Sequence, residues 1–294
     1  MSIENGHTTL GVGMKIESGM VAVVTGAGSG IGRALAEKAA QSGMRVVAAD
    51  IEQPRLDDTV AALGQIGAEA IGVRTDVSVE EDVQRLADAA YDHFGQVNLL
   101  CNNAGVFSGG LMWERTMADW RWVMGVNVDG LIHAVRAFVP RMLEAEGPGH
   151  IVNTASMGGL VTGAYSGPYF TSKFAAVGLT DCLAQDLRTT GKEVAASVLV
   201  PSLINTNIGT SGRNRQERWI DRGRDSTPDA DFVEAMLADS TAGGMDPNEV
   251  ADLVFDAVEA GNFWIPTQPS YHDQIRARHE DMQALRVPVP PVLD

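Results

Sequence analysis

The sequence predicts an α/β fold: a doubly wound parallel sheet of about seven strands with helices on both faces, in a single domain. Three observations carry that prediction. From Met20 onward, short β-branched runs alternate with helix-length stretches of helical periodicity. The runs are apolar almost throughout, the pattern of strands buried on both faces. No internal repeat or linker divides the 294 residues, a length that one large α/β domain accommodates.

Taken in order, MVAVVT is the first strand, followed by a glycine-rich turn and the helix RALAEKAAQ, which stops at Gly43. MRVVAAD is the second strand and residues 54–66 the second helix. AIGVRTD and VEEDVQRLADAAYDHF form the third strand and helix, and VNLLCNNAG is a fourth strand running into a loop. Helices follow over about 114–124 and 128–146, then HIVNTAS as the fifth strand. A helix carrying Tyr169 and Lys173 runs to about Thr189, EVAASVLVP is the sixth strand, and NFWIPT (262–267) a seventh. Right-handed crossovers wind such a sheet both ways from its middle and leave ligands at the carboxyl ends of the strands. The result is a Rossmann-type domain over residues 19–270.

Residues 1–18 read as a disordered or loosely packed leader, with little apolar surface to bury. Residues 271–294 read as a polar C-terminal helix and an extended, Pro-rich tail. The stretch 202–246 breaks the rhythm: basic first (GRNRQERWIDRGRD), then acidic (TPDADFVEAMLAD). Long loops in compact domains are commonly functional, and the position after the sixth strand predicts a substrate lid.

Net charge is −16, from 38 acidic and 22 basic residues, which argues against general affinity for nucleic acid or anionic membranes. No apolar run reaches the roughly 20 residues that span a bilayer, and the N-terminus lacks the features of a signal peptide. A cytoplasmic location is expected. Two cysteines, Cys101 and Cys182, and no His/Cys cluster at ligand spacing predict neither a disulfide framework nor a metal site.

Four residues separate Tyr169 from Lys173, so a helix places both on one face. Free tyrosine and lysine have pKa values of about 10 and 10.4, and an ammonium beside a phenol favours the phenolate. A tyrosine tuned that way can give a proton to a carbonyl oxygen or take one from an alcohol. Ser156, just past the fifth strand, could hold the same oxygen.

Chemistry of that kind needs a hydride carrier, and the first strand–turn–helix supplies a place for one. Gly26, Gly28, Ser29, Gly30, Ile31 and Gly32 lie in TGAGSGIG, where glycines let the backbone approach a pyrophosphate at a helix N-terminus. Asp50 ends the second strand. A carboxylate there accepts hydrogen bonds from ribose hydroxyls and repels a 2′-phosphate, and the neighbouring Ile51 supplies no cation, so NAD is favoured over NADP. Asp50 also reads as a cap for the next helix.

These residues make the chain resemble the short-chain dehydrogenase/reductase family over about residues 19–265. TGAGSGIG matches its cofactor motif, Asn102-Asn103-Ala104-Gly105 its NNAG element, and Asp76-Val77 its adenine-contacting pair. Asn127, Ser156, Tyr169 and Lys173 fall where the family keeps its catalytic tetrad. The resemblance implies hydride transfer at C4 of nicotinamide. Tyr169 would act as acid/base, and Lys173 would hold the nicotinamide ribose and depress the tyrosine pKa. Ser156 would orient the carbonyl or alcohol, and Asn127 would hold a water linking Lys173 to solvent. Asn103, Ala104, Gly105, Pro201 and Thr206 complete the implied cofactor contacts. Taken singly, Asn127 reads better as a helix cap and Ser156 as a strand-end turn; it is together with Tyr169 and Lys173 that they read as a tetrad.

The family often has Pro-Gly after the sixth strand; here the pair is Pro201-Ser202. The chain also lacks the DGG-type ending of many tetrameric members, so a homodimer and a homotetramer both stay open. Phe107, Met157, Leu160, Val161, Leu203 and Ile204 flank the tetrad in sequence, and Trp219 could fold in with the lid. They predict an aromatic or alicyclic secondary alcohol or ketone as substrate. Arg213, Arg215, Arg218, Arg222 and Arg224 offer an acidic substrate as the rival, but interspersed Glu217, Asp221 and Asp225 favour an ion-paired lid. Two further alternatives are an NADP-dependent biosynthetic ketoreductase and a catalytically silent dinucleotide sensor.

Overall fold

All seven expected strands form: β1 (Val21–Thr25), β2 (Arg45–Asp50), β3 (Ala70–Arg74), β4 (Leu99–Asn102), β5 (Gly149–Thr154), β6 (Val194–Val200) and β7 (Trp264–Pro266). In this computed structural model, which describes residues 13–221 and 226–290, they pair in the order β3-β2-β1-β4-β5-β6-β7, parallel throughout. The expectations for residues 1–12, for Arg222, Arg224 and Asp225, and for 291–294 lie outside the described residues.

The helices are α1 (Gly30–Gln41), α2 (Gln53–Ile66), α3 (Glu80–Phe94), α4 (Met117–Met124), α5 (Gly130–Glu144), α6 (Gly167–Thr190), α7 (Pro228–Ala242), α8 (Pro247–Ala260) and α9 (Tyr271–Gln283). They cover both faces of the sheet because the strands are apolar on both. In β1, Ala22 and Val24 pack against α1, α2 and α8, whereas Val21 and Val23 pack against α3 and α5. The alanines of α1 keep that helix close to the sheet: Ala34, Ala36, Ala39 and Ala40 are all buried. Glycines in the left-handed conformation end α2, α3, α6 and α8, at Gly67, Gly95, Gly191 and Gly261.

Three features differ from the sequence expectation. The stretch 202–246 is not a simple loop, since α7 forms within it. The sequence reading also assigns nothing to α8, although Val250, Ala251, Val254, Phe255, Ala257 and Val258 are buried at helical spacing. Residues 13–18 of the expected leader are not loose: Met14 is buried, and its N–H donates to Val258 O at 3.0 Å. A Cβ on Gly13 would lie 2.2 Å from Glu259 O, so glycine lets the chain run flush against the end of α8.

Strand order reverses between β1 and β4, and the crevice at that switch point opens beyond their carboxyl ends. Among the described residues no helix is long and apolar enough to cross a membrane.

Candidate active site

The turn between β1 and α1 is built for close backbone approach. Gly26 (φ +67°) and Gly30 (φ +54°) occupy the left-handed region. A Cβ on Gly32 would lie 2.1 Å from Gly26 O, and one on Gly28 would lie 2.8 Å from Asp50 Oδ2. At the end of β2, Asp50 accepts from Gly28 N–H at 2.8 Å through Oδ2 and from Glu52 N–H at 2.9 Å through Oδ1. Each oxygen keeps acceptor capacity for a ligand hydroxyl, since a carboxylate offers about four lone-pair sites. Across the crevice, the Thr25 hydroxyl accepts from the N–H groups of Asn103 (2.9 Å) and Ala104 (3.1 Å). That bond pins the loop after β4 beside the glycine turn.

At the other end of the crevice the tetrad converges. Proline at the start of α6 and the helical spacing place Tyr169 and Lys173 on one face. Ser156 and Tyr169 line the same part of the cavity, beside Lys173. Lys173 Nζ donates to Thr154 O at 2.9 Å, at the end of β5, and sits 5.6 Å from the Tyr169 ring centroid. Ser156 is held from two sides: its Oγ accepts from Gly158 N–H at 3.0 Å and donates to Pro201 O at 3.3 Å. Ser202, which replaces the glycine common in the family, donates its N–H to Thr267 Oγ1 at 3.1 Å, tying this loop to the end of β7.

Burial raises the Tyr169 phenol above its ordinary value, and the neighbouring Ser156 hydroxyl offsets only part of that. Burial lowers the Lys173 ammonium to about 8. Desolvation is thus the larger influence on the phenol, and the ammonium donates to the Thr154 carbonyl.

Asn127 lies behind this pair in a π-helical turn, Gly125–Asp129, joining α4 to α5. Its Oδ1 accepts from Val106 N–H at 2.8 Å, and its Nδ2 donates to Val106 O and Ser172 Oγ, both at 2.9 Å. Asn127 therefore fixes the chain after Gly105, where a Cβ would meet Asn127 Oδ1 at 3.5 Å and Lys173 Nζ at 3.6 Å. Single π-helical turns are frequent at functional sites.

One cavity of about 430 Å³ joins the two ends. Gly26, Ser29, Gly30, Ile31, Asp50, Ile51, Asp76, Val77, Asn103, Ala104, Gly105, Ser156, Tyr169, Lys173, Pro201 and Thr206 all line it. Gly28, Gly32 and Asn127 do not; they stand behind the wall and hold it. The cradle fits a dinucleotide: side chains at Gly26, Gly28 and Gly32 would collide with the backbone or with Asp50, and an acceptor carboxylate stands beside the glycine turn.

Phe107, Met157, Val161, Leu203 and Ile204 line the reacting end as expected. Leu160 packs into the core with Val177, and Trp219 packs beside Gly125 and the end of α4, so neither reaches the cavity. The sequence reading misses Val233, Met236 and Leu237 of α7, which complete the apolar wall. Their i, i+3, i+4 spacing was the available signal.

Three described arginines of the lid, Arg213, Arg215 and Arg218, are ion-paired with partners outside it. Arg213 meets Glu52 at 3.0 Å, Arg215 meets Asp119 at 2.6 Å, and Arg218 meets Asp76 at 2.6 Å. Burial alone would raise the Glu52 carboxyl, but hydrogen bonds from Asn214 and Arg213 and the charges of Arg213 and Arg55 bring it below its ordinary value. The Glu52 and Asp76 pairs carry residues 213–218 across the Asp50 end of the cavity, where Arg213, Asn214 and Gln216 line the wall.

A family model described as short chain dehydrogenase matches residues 20–217. The chain belongs to the short-chain dehydrogenase/reductase family. As a member it is an oxidoreductase acting on alcohol and ketone groups of small molecules with a nicotinamide dinucleotide. A short-chain dehydrogenase/reductase from Burkholderia phymatum, solved in complex with NAD, is 45% identical and superposes with a TM-score of 0.92 over 95% of this chain and 99% of that one. A 1-deoxy-11-beta-hydroxypentalenate dehydrogenase from Streptomyces exfoliatus is 36% identical over 89% of this chain and 87% of its own length. The C alpha-dehydrogenase of a Sphingobium strain is 33% identical over 88% of this chain and 84% of its own.

Proposed function

We propose that this short-chain dehydrogenase interconverts a hydrophobic secondary alcohol and its ketone, prefers NAD to NADP, and uses Tyr169 as its acid/base. One observation carries the reading: a single cavity has the Asp50 carboxylate at one end and Ser156, Tyr169 and Lys173 beside an apolar wall at the other. The Burkholderia relative solved with NAD supports the cofactor, and the relatives named as dehydrogenases support the reaction class.

When bound, the dinucleotide supplies the hydride acceptor or donor at C4 of its nicotinamide. Gly26 and Gly30 present backbone N–H groups to its phosphates, and Asp50 accepts from its ribose hydroxyls. In the oxidising direction, Ser156 Oγ would hold the substrate oxygen and Tyr169, as the phenolate, would take the hydroxyl proton to become the phenol; in reduction the phenol gives that proton to the carbonyl oxygen. Lys173 supplies a positive charge behind the phenol and a donor for the nicotinamide ribose. Asn127 keeps the Gly105–Phe107 backbone in place around them. Phe107, Met157, Val161, Val233 and Met236 exclude water and match an apolar carbinol substituent.

The test is dinucleotide reduction by the purified protein, with NAD and NADP, against aromatic and alicyclic secondary alcohols and against hydroxy acids of similar size. NAD-linked turnover of the apolar alcohols is expected. Turnover restricted to hydroxy acids, or a preference for NADP, contradicts the reading.

A further inference from the structure

We propose that Glu52 sets cofactor preference, because it neutralises the cation that would otherwise serve a 2′-phosphate. This rests on the proposed NAD preference and names the residue that enforces it. Glu52 lies two residues beyond Asp50, and both line the Asp50 end of the cavity. Its Oε1 accepts from Arg213 Nε (3.1 Å), Arg213 Nη2 (3.0 Å) and Asn214 Nδ2 (2.9 Å), and its Oε2 is paired with Arg55 Nε at 3.1 Å. Two guanidinium groups thus meet one carboxylate beside the glycine turn, where the Arg55 Cβ lies 3.0 Å from the position a Cβ on Gly28 would take.

Charge at this corner is balanced by Glu52. Among the described residues that line the cavity, only Arg213 and Lys173 are basic, and Lys173 stands at the far end. Arg33, next to the glycine turn, is paired with Glu37 at 2.8 Å along α1 and does not line the cavity. With Asp50 and Glu52 ionised against Arg55 and Arg213, the corner is formally neutral and has no spare cation for a phosphate dianion. Neutralising Glu52 leaves the corner with one net positive charge, and Arg213, whose Nη1 stays bound to Asn207 O and Thr210, can then offer Nε and Nη2 to phosphate oxygens. Asp50 excludes the 2′-phosphate by repulsion, and Glu52 excludes it by occupying the cations.

The experiment compares kcat/KM for NADP and for NAD in the wild type, Glu52→Gln and Glu52→Gln/Arg213→Ala, with one alcohol substrate. Glutamine keeps an acceptor for Asn214, so that tie of the lid is retained, while loss of the charge weakens the hold on Arg213 Nε and Nη2. Glu52→Gln is expected to raise the NADP/NAD ratio by about tenfold or more, on the scale of charge-assisted hydrogen bonds, and Arg213→Ala in that background is expected to remove the gain. A merely structural role would shift KM for both cofactors together and leave the ratio fixed; that result overturns the proposal. So does a gain that survives Arg213→Ala. A wild-type enzyme that already prefers NADP contradicts the NAD reading, and the Glu52 assignment then still stands or falls on whether the ratio rises in Glu52→Gln.

Discussion

At the Tyr169 end of the cavity the side chains are fixed by buried hydrogen bonds to strand and loop backbone, whereas the Asp50 end is closed by partly exposed ion pairs. Asn127 is 2% exposed and Lys173 4%, and their partners are the main chain of Val106 and Thr154. Arg213 and Arg218 retain 30% and 44% of their side-chain exposure, and they reach carboxylates on the loops after β2 and β3. A buried polar network costs its full desolvation when one member is removed, so the reacting end behaves as a fixed frame. Exposed ion pairs contribute little stability and weaken with salt, so the Asp50 end is held less firmly than that frame.

Removing the buried ammonium separates stability from activity at the fixed end. In the folded chain Lys173 titrates at about 8, below the 10.5 of a free lysine. Between those values the unfolded chain binds more protons, so this group makes stability rise with pH over that window and imposes its full penalty below about 8. Lys173→Met is expected to lower turnover by a hundredfold or more, in the range roughly assigned to acid–base positioning. The same variant should gain up to about 3 kcal/mol in denaturant unfolding at pH 7, less the lost Thr154 bond, at about 1.4 kcal/mol per pKa unit. A variant that loses stability at pH 7 shows that the ammonium is better solvated than its surroundings imply.

A pair of truncations tests the contrast directly. Asn127→Ala leaves the Val106 N–H and C=O unpaired in the core and should cost about 3 kcal/mol of stability. Arg218→Ala should cost under about 1 kcal/mol, as expected for a partly exposed pair. It should instead speed NAD dissociation a few-fold in stopped-flow fluorescence, with the difference from wild type shrinking as salt rises. Equal destabilisation by the two variants would mean that the ends are not built differently.

Legibility in the sequence follows the same division. The strands, the glycine turn and the spacing of Ser156, Tyr169 and Lys173 are local or periodic features, and the sheet topology brings them together without further information. The Arg213–Glu52 and Arg218–Asp76 pairs join residues 161 and 142 positions apart, and no local pattern announces them. Glu217 and Asp221 lie close to these arginines in sequence, yet Arg213 and Arg218 take carboxylates on the loops after β2 and β3. α7 escaped notice because its apolar wall, Val233, Met236 and Leu237, sits in a stretch read as polar, whereas α8 carries a plain helical period that the reading left unassigned. The direction of the Tyr169 shift was also hidden, since charge proximity can be read from spacing and desolvation cannot.

The most direct test of the proposed chemistry is to measure alcohol turnover and NAD affinity together in Tyr169→Phe. Turnover reduced by about a thousandfold, with the dissociation constant for NAD within about threefold of wild type, is the expected result for loss of the acid/base alone. Turnover near the wild-type rate would contradict the assignment of Tyr169 and with it the proposed mechanism.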